Sequence, residues 1–173
     1  MFESILIASD GSTHAQRAVE AGCQLALKFG SRVAIVHTVG HGQLPAGLRQ
    51  MAEVEHLVEP SRPRLVAMEE LPRSLVATGG ADLDPSETYR TWHAIGQNIL
   101  HQAVDIAKVA KISANGILSD GDPGECILHH ADEVGADLIV MGRRGVSNLK
   151  GLLLGSVSQK VCQRSKVACL TVV

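Results

Sequence analysis

The sequence predicts an α/β fold built on a parallel sheet, and two observations carry that prediction. Short apolar runs that read as strands alternate along the chain with longer segments of helical periodicity. Parallel strands joined by crossover helices produce that order. In addition, Ala136-Asp137-Leu138-Ile139-Val140-Met141 leads into a glycine-bearing loop, Gly142-Arg143-Arg144-Gly145, with Gly155-Ser156 further on at the head of a helical segment. In a strand, glycine loop, helix N-terminus sequence, main-chain N–H groups reach oxyanions with no Cβ in the way, and the helix dipole favours negative charge.

The elements follow in order. The first strand runs from Ser4 to Ala8 and ends in Ser9-Asp10-Gly11-Ser12. A helix is expected from Thr13 to Phe29, where Ala15, Ala18, Val19, Gly22, Leu25, Ala26 and Phe29 recur at helical spacing, and Gly30 supplies its C-terminal cap. The second strand spans Arg32 to Val39, turning Val33, Ile35 and Val36 to the core. A long helix fits Tyr89 to Lys111, with Trp92, Ile95, Ile99, Ala103, Ile106 and Ala110 on one stripe. A third strand covers Ile112 to Leu118. Asp122-Pro123-Gly124-Glu125 then starts a helix, with Asp122 as N-cap, Pro123 in the first turn and Glu125 placed to answer the cap. That helix ends near Gly135, the fourth strand and the glycine loop follow, and the last helix begins at about Ser156. The strand Val167-Ala168-Cys169-Leu170-Thr171-Val172-Val173 closes the pattern.

Between Gly40 and Glu87 the periodicity fades. Pro45, Pro60, Pro63, Pro72 and Pro85 interrupt it, and Gly79-Gly80-Ala81-Asp82 reads as a turn. Leu48, Met51, Val54, Leu57 and Val58 fit a short amphipathic helix. This stretch is too broken by proline to build its own core. The expectation is therefore a single domain over residues 1–173 with an elaborated crossover at about 40–88, acting either as a lid or as a bland insertion.

A chain of 173 residues with net charge −2 is long enough for one sizeable core and is not an electrostatic nucleic-acid binder. Phe2, Phe29, Tyr89 and Trp92 are its only aromatics, too few for base-stacking platforms. No apolar run is long enough to span a bilayer and the N-terminus opens into a strand rather than a signal peptide, so a soluble cytoplasmic protein is expected. Cys23, Cys126, Cys162 and Cys169 are scattered and read as reduced, packed thiols. Of the histidines, His37, His41, His129 and His130 stand out. Adjacent residues point to different parts of a helix surface, so His129 and His130 are not expected to share an ion, and no dedicated metal site is expected.

Asp10 at the first strand's end, the spacing Gly142-x2-Gly145-x9-Gly155-Ser156, the segment 136–145, Leu154-Gly155-Ser156-Val157-Ser158 and the terminal strand together resemble the universal stress protein family. The resemblance covers nearly the whole chain outside the crossover. It implies an open five-stranded parallel sheet of order 3-2-1-4-5 with helices on both faces, a Rossmann-like fold of the adenine nucleotide alpha hydrolase type. It also implies a homodimer through the strand from Val167 to Val173. Family members with the complete glycine motif tend to bind ATP, and this chain keeps the motif. By position, Asp10 with its neighbours Ala8 and Ser9, and the main chain near Thr38, would hold adenine and ribose. Met141, Gly142, Arg143 and Gly145 would pass under the ribose and α-phosphate. Gly155, Ser156, Val157 and Ser158 would receive the β- and γ-phosphates, with or without magnesium. Ala8 replaces a proline of some relatives, and the Cys-Pro-Val often found in the last strand is missing.

The resulting expectation is an ATP-binding stress-response or signalling module whose protein partner, not identifiable from sequence, changes with nucleotide occupancy. Two alternatives stay open: a slow ATP hydrolase, and a dimeric adaptor with an unoccupied site. Arg143 and Arg144 read either as phosphate contacts or as solvated loop residues. Asp120 and Asp122 are the acids nearest to a hydrolytic role, and capping explains Asp122 fully.

Overall fold

The structure, a computed structural model, describes residues 2–41, 50, 52, 54, 55, 57, 85–145 and 154–173. Its elements are β1 (Ser4–Ala8), α1 (Thr13–Phe29), β2 (Arg32–Thr38), α2 (Pro85–Val109), β3 (Ala114–Ser119), α3 (Pro123–Glu133), β4 (Leu138–Gly142), α4 (Ser156–Arg164) and β5 (Ala168–Val172). They fall into two compact units, Met1–Gly40 with Ile95–Val173, and His41–Ala94.

The first unit is built on a five-stranded sheet of order β3-β2-β1-β4-β5, and every pairing is parallel. β1 lies at the centre, with Ile5, Leu6 and Ile7 fully buried. Alternation along the strands sends side chains to two cores. Ile5, Ile7, Val33, Ile35, Leu138 and Val140 meet α1 through Ala18, Val19 and Cys23, and α2 through Leu100, Ala103 and Ala107. On the opposite face Leu6, Val36, Ile139 and Met141 meet Ile127 and Ala131 of α3 and Val161 of α4. The near-continuous apolar runs in the sequence therefore have a simple cause: strands covered by helices on both sides bury both faces.

Helix ends follow local chemistry. Ser12 Oγ accepts from Ala15 N at 3.2 Å and caps α1. Gly30 closes the helix in the left-handed region at φ 70°, a conformation costly for a side chain with a Cβ. Asp122 Oδ1 accepts from Glu125 N at 3.0 Å and caps α3. The reciprocal half of the expected capping box is replaced: the Glu125 carboxylate reaches across to Lys160 and Arg164 of α4.

Several boundaries differ from those expected. The third strand begins at Ala114 rather than Ile112, because Lys111, at φ 61°, ends α2 and Ile112 N donates to Ala107 O. The fourth strand begins at Leu138 rather than Ala136, because Ala136 N is bonded to Ala131 O in the turn that ends α3. α2 starts at Pro85, ahead of Tyr89, and ends at Val109, and β5 is shorter than 167–173 by one residue at each end. Among residues of the second unit, Val54 is helical and Leu57 N donates to Ala52 O at 2.9 Å. Leu48, Met51, Val58 and the turn expected at 79–82 lie outside the described residues.

α1 crosses the sheet at close range over Gly22, where a Cβ would lie 2.5 Å from Ile7 Cδ1 and 2.9 Å from its Cγ1. Gly22→Val should therefore destabilise the fold by about 1–3 kcal/mol through overpacking. Urea denaturation followed by circular dichroism reads this, and an unchanged midpoint would contradict the packing.

Candidate functional site

β1 pairs with β2 on one side and β4 on the other, so the direction of winding reverses beyond the carboxyl ends of β1 and β4. Crevices at such a reversal are where open α/β sheets take ligands. Ala8 and Met141 are register partners at this edge. Past them the chain holds Ser9, Asp10, Gly11 and Ser12 on one side and Gly142 to Gly145 on the other.

The two strand ends are brought together by close packing and by hydrogen bonds to main-chain carbonyls. A Cβ on Gly142 would sit 2.9 Å from the carbonyl carbon of His14 and 3.0 Å from Ala15 N. Only glycine lets β4 come this close to the first turn of α1. A Cβ on Gly145 would fall 2.3 Å from Asp10 Oδ2, so the loop passes directly over that carboxylate. Ser12 Oγ approaches Arg144 O at 3.5 Å. Gly155 N donates to Arg143 O at 2.9 Å, and Arg143 N donates to Val172 O at 2.6 Å. Ser158 Oγ, buried in the first turn of α4, donates to Gly142 O at 2.8 Å.

Asp10, Met141, Gly142, Arg143, Gly145, Gly155, Val157 and Ser158 are thus gathered at one edge, with Ser156 exposed on the rim. The side chain of Ser158 has a bracing part of its own. Its hydroxyl proton goes to Gly142 O, so it braces the loop. Thr38 stands at the end of β2 in register with Ser119 of β3. Its link to β1 runs through its neighbours: Ser9 N donates to Val36 O at 3.0 Å, and His37 Nδ1 lies 2.8 Å from Ser9 O.

His37 stands out in the sequence, but its structural part is visible only in the fold. Ser9 O can only accept, so Nδ1 carries the ring proton and donates. Burial pushes the imidazole below its ordinary pKa, against the opposing pulls of the Ser9 bond and the Asp10 charge. A lowered value means the unfolded chain takes up this proton first. The stability tied to neutral His37 is present above the ordinary histidine pKa and is lost as pH falls through the lower folded value. The sequence signal was a polar residue directly after the apolar run Val33-Ala34-Ile35-Val36, still within the strand.

Helix starts are treated unequally. Side chains cap α1 and α3, whereas the N-cap of α4 is Gly155, with no side-chain bond to its first turn. Among the described residues no side chain caps the N–H groups of that turn, and a helix start of this kind favours negative charge. In the loop that precedes it, Nε of Arg143 is buried with no hydrogen-bond partner among the described residues.

α4 is held in direction by an exposed cluster. Lys160 Nζ lies 2.8 Å from Asp122 Oδ1 and 2.9 Å from Glu125 Oε1, and Arg164 also pairs with Glu125. Lys160 holds the Asp122 carboxyl below its usual range, and Lys160 with Arg164 does the same for Glu125. These pairs are screened by salt and strengthen the fold only modestly. Asp122 is thereby doubly occupied, as cap and as ion-pair partner.

A further cluster involves His129 and His130. Their ring centroids lie 5.2 Å apart, and both face Glu133, at 3.3 Å from His129 Nε2 and 2.7 Å from His130 Nδ1. Adjacent positions on the helix still meet one carboxylate, because Glu133 is four residues from His129 and three from His130.

Comparison with known proteins places this geometry in context. The family model described as "Universal stress protein family" matches residues 1–172. The chain is 33% identical over 175 residues to universal stress protein YxiE of Bacillus subtilis, covering 99% of each chain. It superposes on the solved structure of MJ0577, a universal stress protein of Methanocaldococcus jannaschii, with TM-score 0.69, 22% identity and coverage of 99% and 96%. It also superposes on a universal stress protein solved in complex with cAMP, with TM-score 0.59, 25% identity and coverage of 99% and 97%.

Two substitutions separate the roles of the loop glycines. Gly142→Ala should lower stability by about 1–3 kcal/mol, because its Cβ meets main chain that cannot move aside. Gly155→Ser should change stability by only roughly a few tenths of a kcal/mol, since serine is a good N-cap and the new Cβ stays 3.4 Å from Arg143 O. Chemical denaturation of both variants tests the contrast; equal losses would contradict it.

Proposed function

The chain belongs to the universal stress protein family, and from that premise we propose that it binds an adenine nucleotide, ATP in particular, at the edge where β1, β4 and α4 meet. The observation that supports this most is the uncapped first turn of α4 opposite the Gly142–Gly145 loop, with Asp10 beneath Gly145. In this reading Ala8, Ser9, Asp10 and the main chain near Thr38 hold the nucleoside. Met141, Gly142, Arg143 and Gly145 line the path of the ribose and first phosphate. The N–H groups of Ser156, Val157 and Ser158, with the Ser156 hydroxyl, take the distal phosphates or their magnesium ion. Charge-assisted bonds of this kind contribute about 1.5–3 kcal/mol each.

A cyclic mononucleotide is the second reading, favoured by the neighbour solved with cAMP. Efficient hydrolysis is not part of the proposal. Asp10 lies at the nucleoside end, and Asp122 is committed to its cap and Lys160, so neither of these two acids is free to orient water at the γ-phosphate. The protein acts instead as a nucleotide-dependent stress-response or signalling module, a single domain with an inserted crossover, working in the cytoplasm and answering to a protein partner. No helix among the described residues is long and apolar enough to cross a membrane.

The same reading includes a homodimer. β5 is an edge strand of the sheet, and an unpaired apolar edge invites pairing with a second copy about a twofold axis.

Nucleotide-free protein with magnesium and ATP at a hundred times its dissociation constant should gain about 2.7 kcal/mol. For a chain of this size the melting point should rise by roughly 5–11 °C. Gly145→Val should abolish the shift by displacing Asp10. A rise with cAMP and none with ATP would favour the second reading, and no rise with either would refute both. Sedimentation at roughly tens of micromolar should give twice the 18.3 kDa chain mass; a monomer would contradict the dimer.

A further inference from the structure

We propose that His129, His130 and Glu133 of α3, supported by Ser119 of β3, form a binding site for a divalent transition-metal ion of the zinc class. The inference is independent of the nucleotide reading. Each of the three residues offers one ligand atom, and these atoms lie within 4.8 Å of one another. A zinc-class ion bonds imidazole nitrogen and carboxylate oxygen at about 2.0–2.2 Å, which requires ligand atoms roughly 3–4 Å apart. Small torsions of the exposed His129 and half-exposed Glu133 side chains close that gap.

The inner histidine is already oriented for the task. His130 is mostly buried, at 16% side-chain exposure. Its Nε2 lies 3.1 Å from Ser119 Oγ, and its Nδ1 lies 2.7 Å from Glu133 Oε2. Without a metal, the carboxylate can only accept, so Nδ1–H donates to Glu133 and Nε2 accepts from the serine hydroxyl. With a metal, the neutral ring keeps its one proton but carries it on Nε2. That N–H now donates to Ser119 Oγ, and the Nδ1 lone pair is released to the ion. A hydroxyl serves in either direction, so both states are satisfied. Metal-binding histidines are commonly fixed this way, by a hydrogen bond at the other ring nitrogen.

The donor set selects the class of ion. Two imidazoles and a carboxylate suit zinc, nickel or copper, whereas magnesium and calcium require oxygen ligands. Magnesium carried by a nucleotide would therefore not compete here. The cluster contains three protein ligands among the described residues, so solvent completes the coordination.

Zinc chloride, and separately magnesium chloride, titrated calorimetrically into the untagged full chain without nucleotide test the proposal. The expected result is one zinc ion per chain and no saturable magnesium binding. His129→Ala and Glu133→Gln should each weaken zinc at least about tenfold, and Ser119→Ala by about 10–100-fold, all with unchanged circular dichroism. A Cys162→Ser/Cys169→Ser double variant should bind zinc as the wild type does. Absence of zinc binding, wild-type affinity in Glu133→Gln, or loss of binding only with the cysteines would overturn the assignment.

Discussion

One close contact organises the carboxyl edge of the sheet. Gly142 lies against the His14 carbonyl carbon and Ala15 N with no room for a Cβ, and its own carbonyl accepts the buried Ser158 hydroxyl. That single residue ties β4 to the first turn of α1 and to the first turn of α4. Were β4 held off by even a methyl group, the loop after it could not pass over Asp10, and α4 would lose its anchor on the strand. The pairing of Arg143 N with Val172 O extends the same constraint to β5.

The remaining features of the site read as consequences. With the loop fixed, Gly155 N bonds Arg143 O, which sets where α4 begins. Because the cap position is glycine, no side chain among the described residues caps the first turn, and the positive end of the helix dipole is not offset there. On the far side, His37 holds Ser9 O from behind, so the β1 turn is braced by the neighbouring strand. The cluster of Lys160 and Arg164 with Asp122 and Glu125 joins α4 to α3 on the outside, where salt can loosen it.

Much of this was legible in the sequence because it depends on local rules. The alternation of apolar runs and helical stripes gives the parallel α/β class, Gly30 and Asp122 mark helix ends by chemistry that does not need the fold, and the spacing of Gly142, Gly145, Gly155 and Ser156 points to one loop. The strand order and the roles of single residues came from the family resemblance rather than from pattern. What stayed hidden depends on tertiary partners. Ala136 is apolar and reads as strand, yet its N–H closes the end of α3. Glu125 fits a capping box until Lys160 and Arg164 are brought within reach. The Ser158 hydroxyl looks available to phosphate until Gly142 O is found beside it. His129 and His130 look divergent until Glu133 collects them, and Ser119, which orients His130, lies on another element.

The central claim is that the ends of β1 and β4 and the start of α4 form one adenine-nucleotide site. Titration of ATP into isotopically labelled protein, followed through backbone amide chemical shifts, tests it most directly. The account predicts the largest shifts at Asp10, Thr38, Gly142, Gly145, Gly155, Ser156 and Val157, with α3 near His129 and His130 unmoved. Saturable shifts confined to other elements, with Gly145 and Gly155 unmoved, would contradict it.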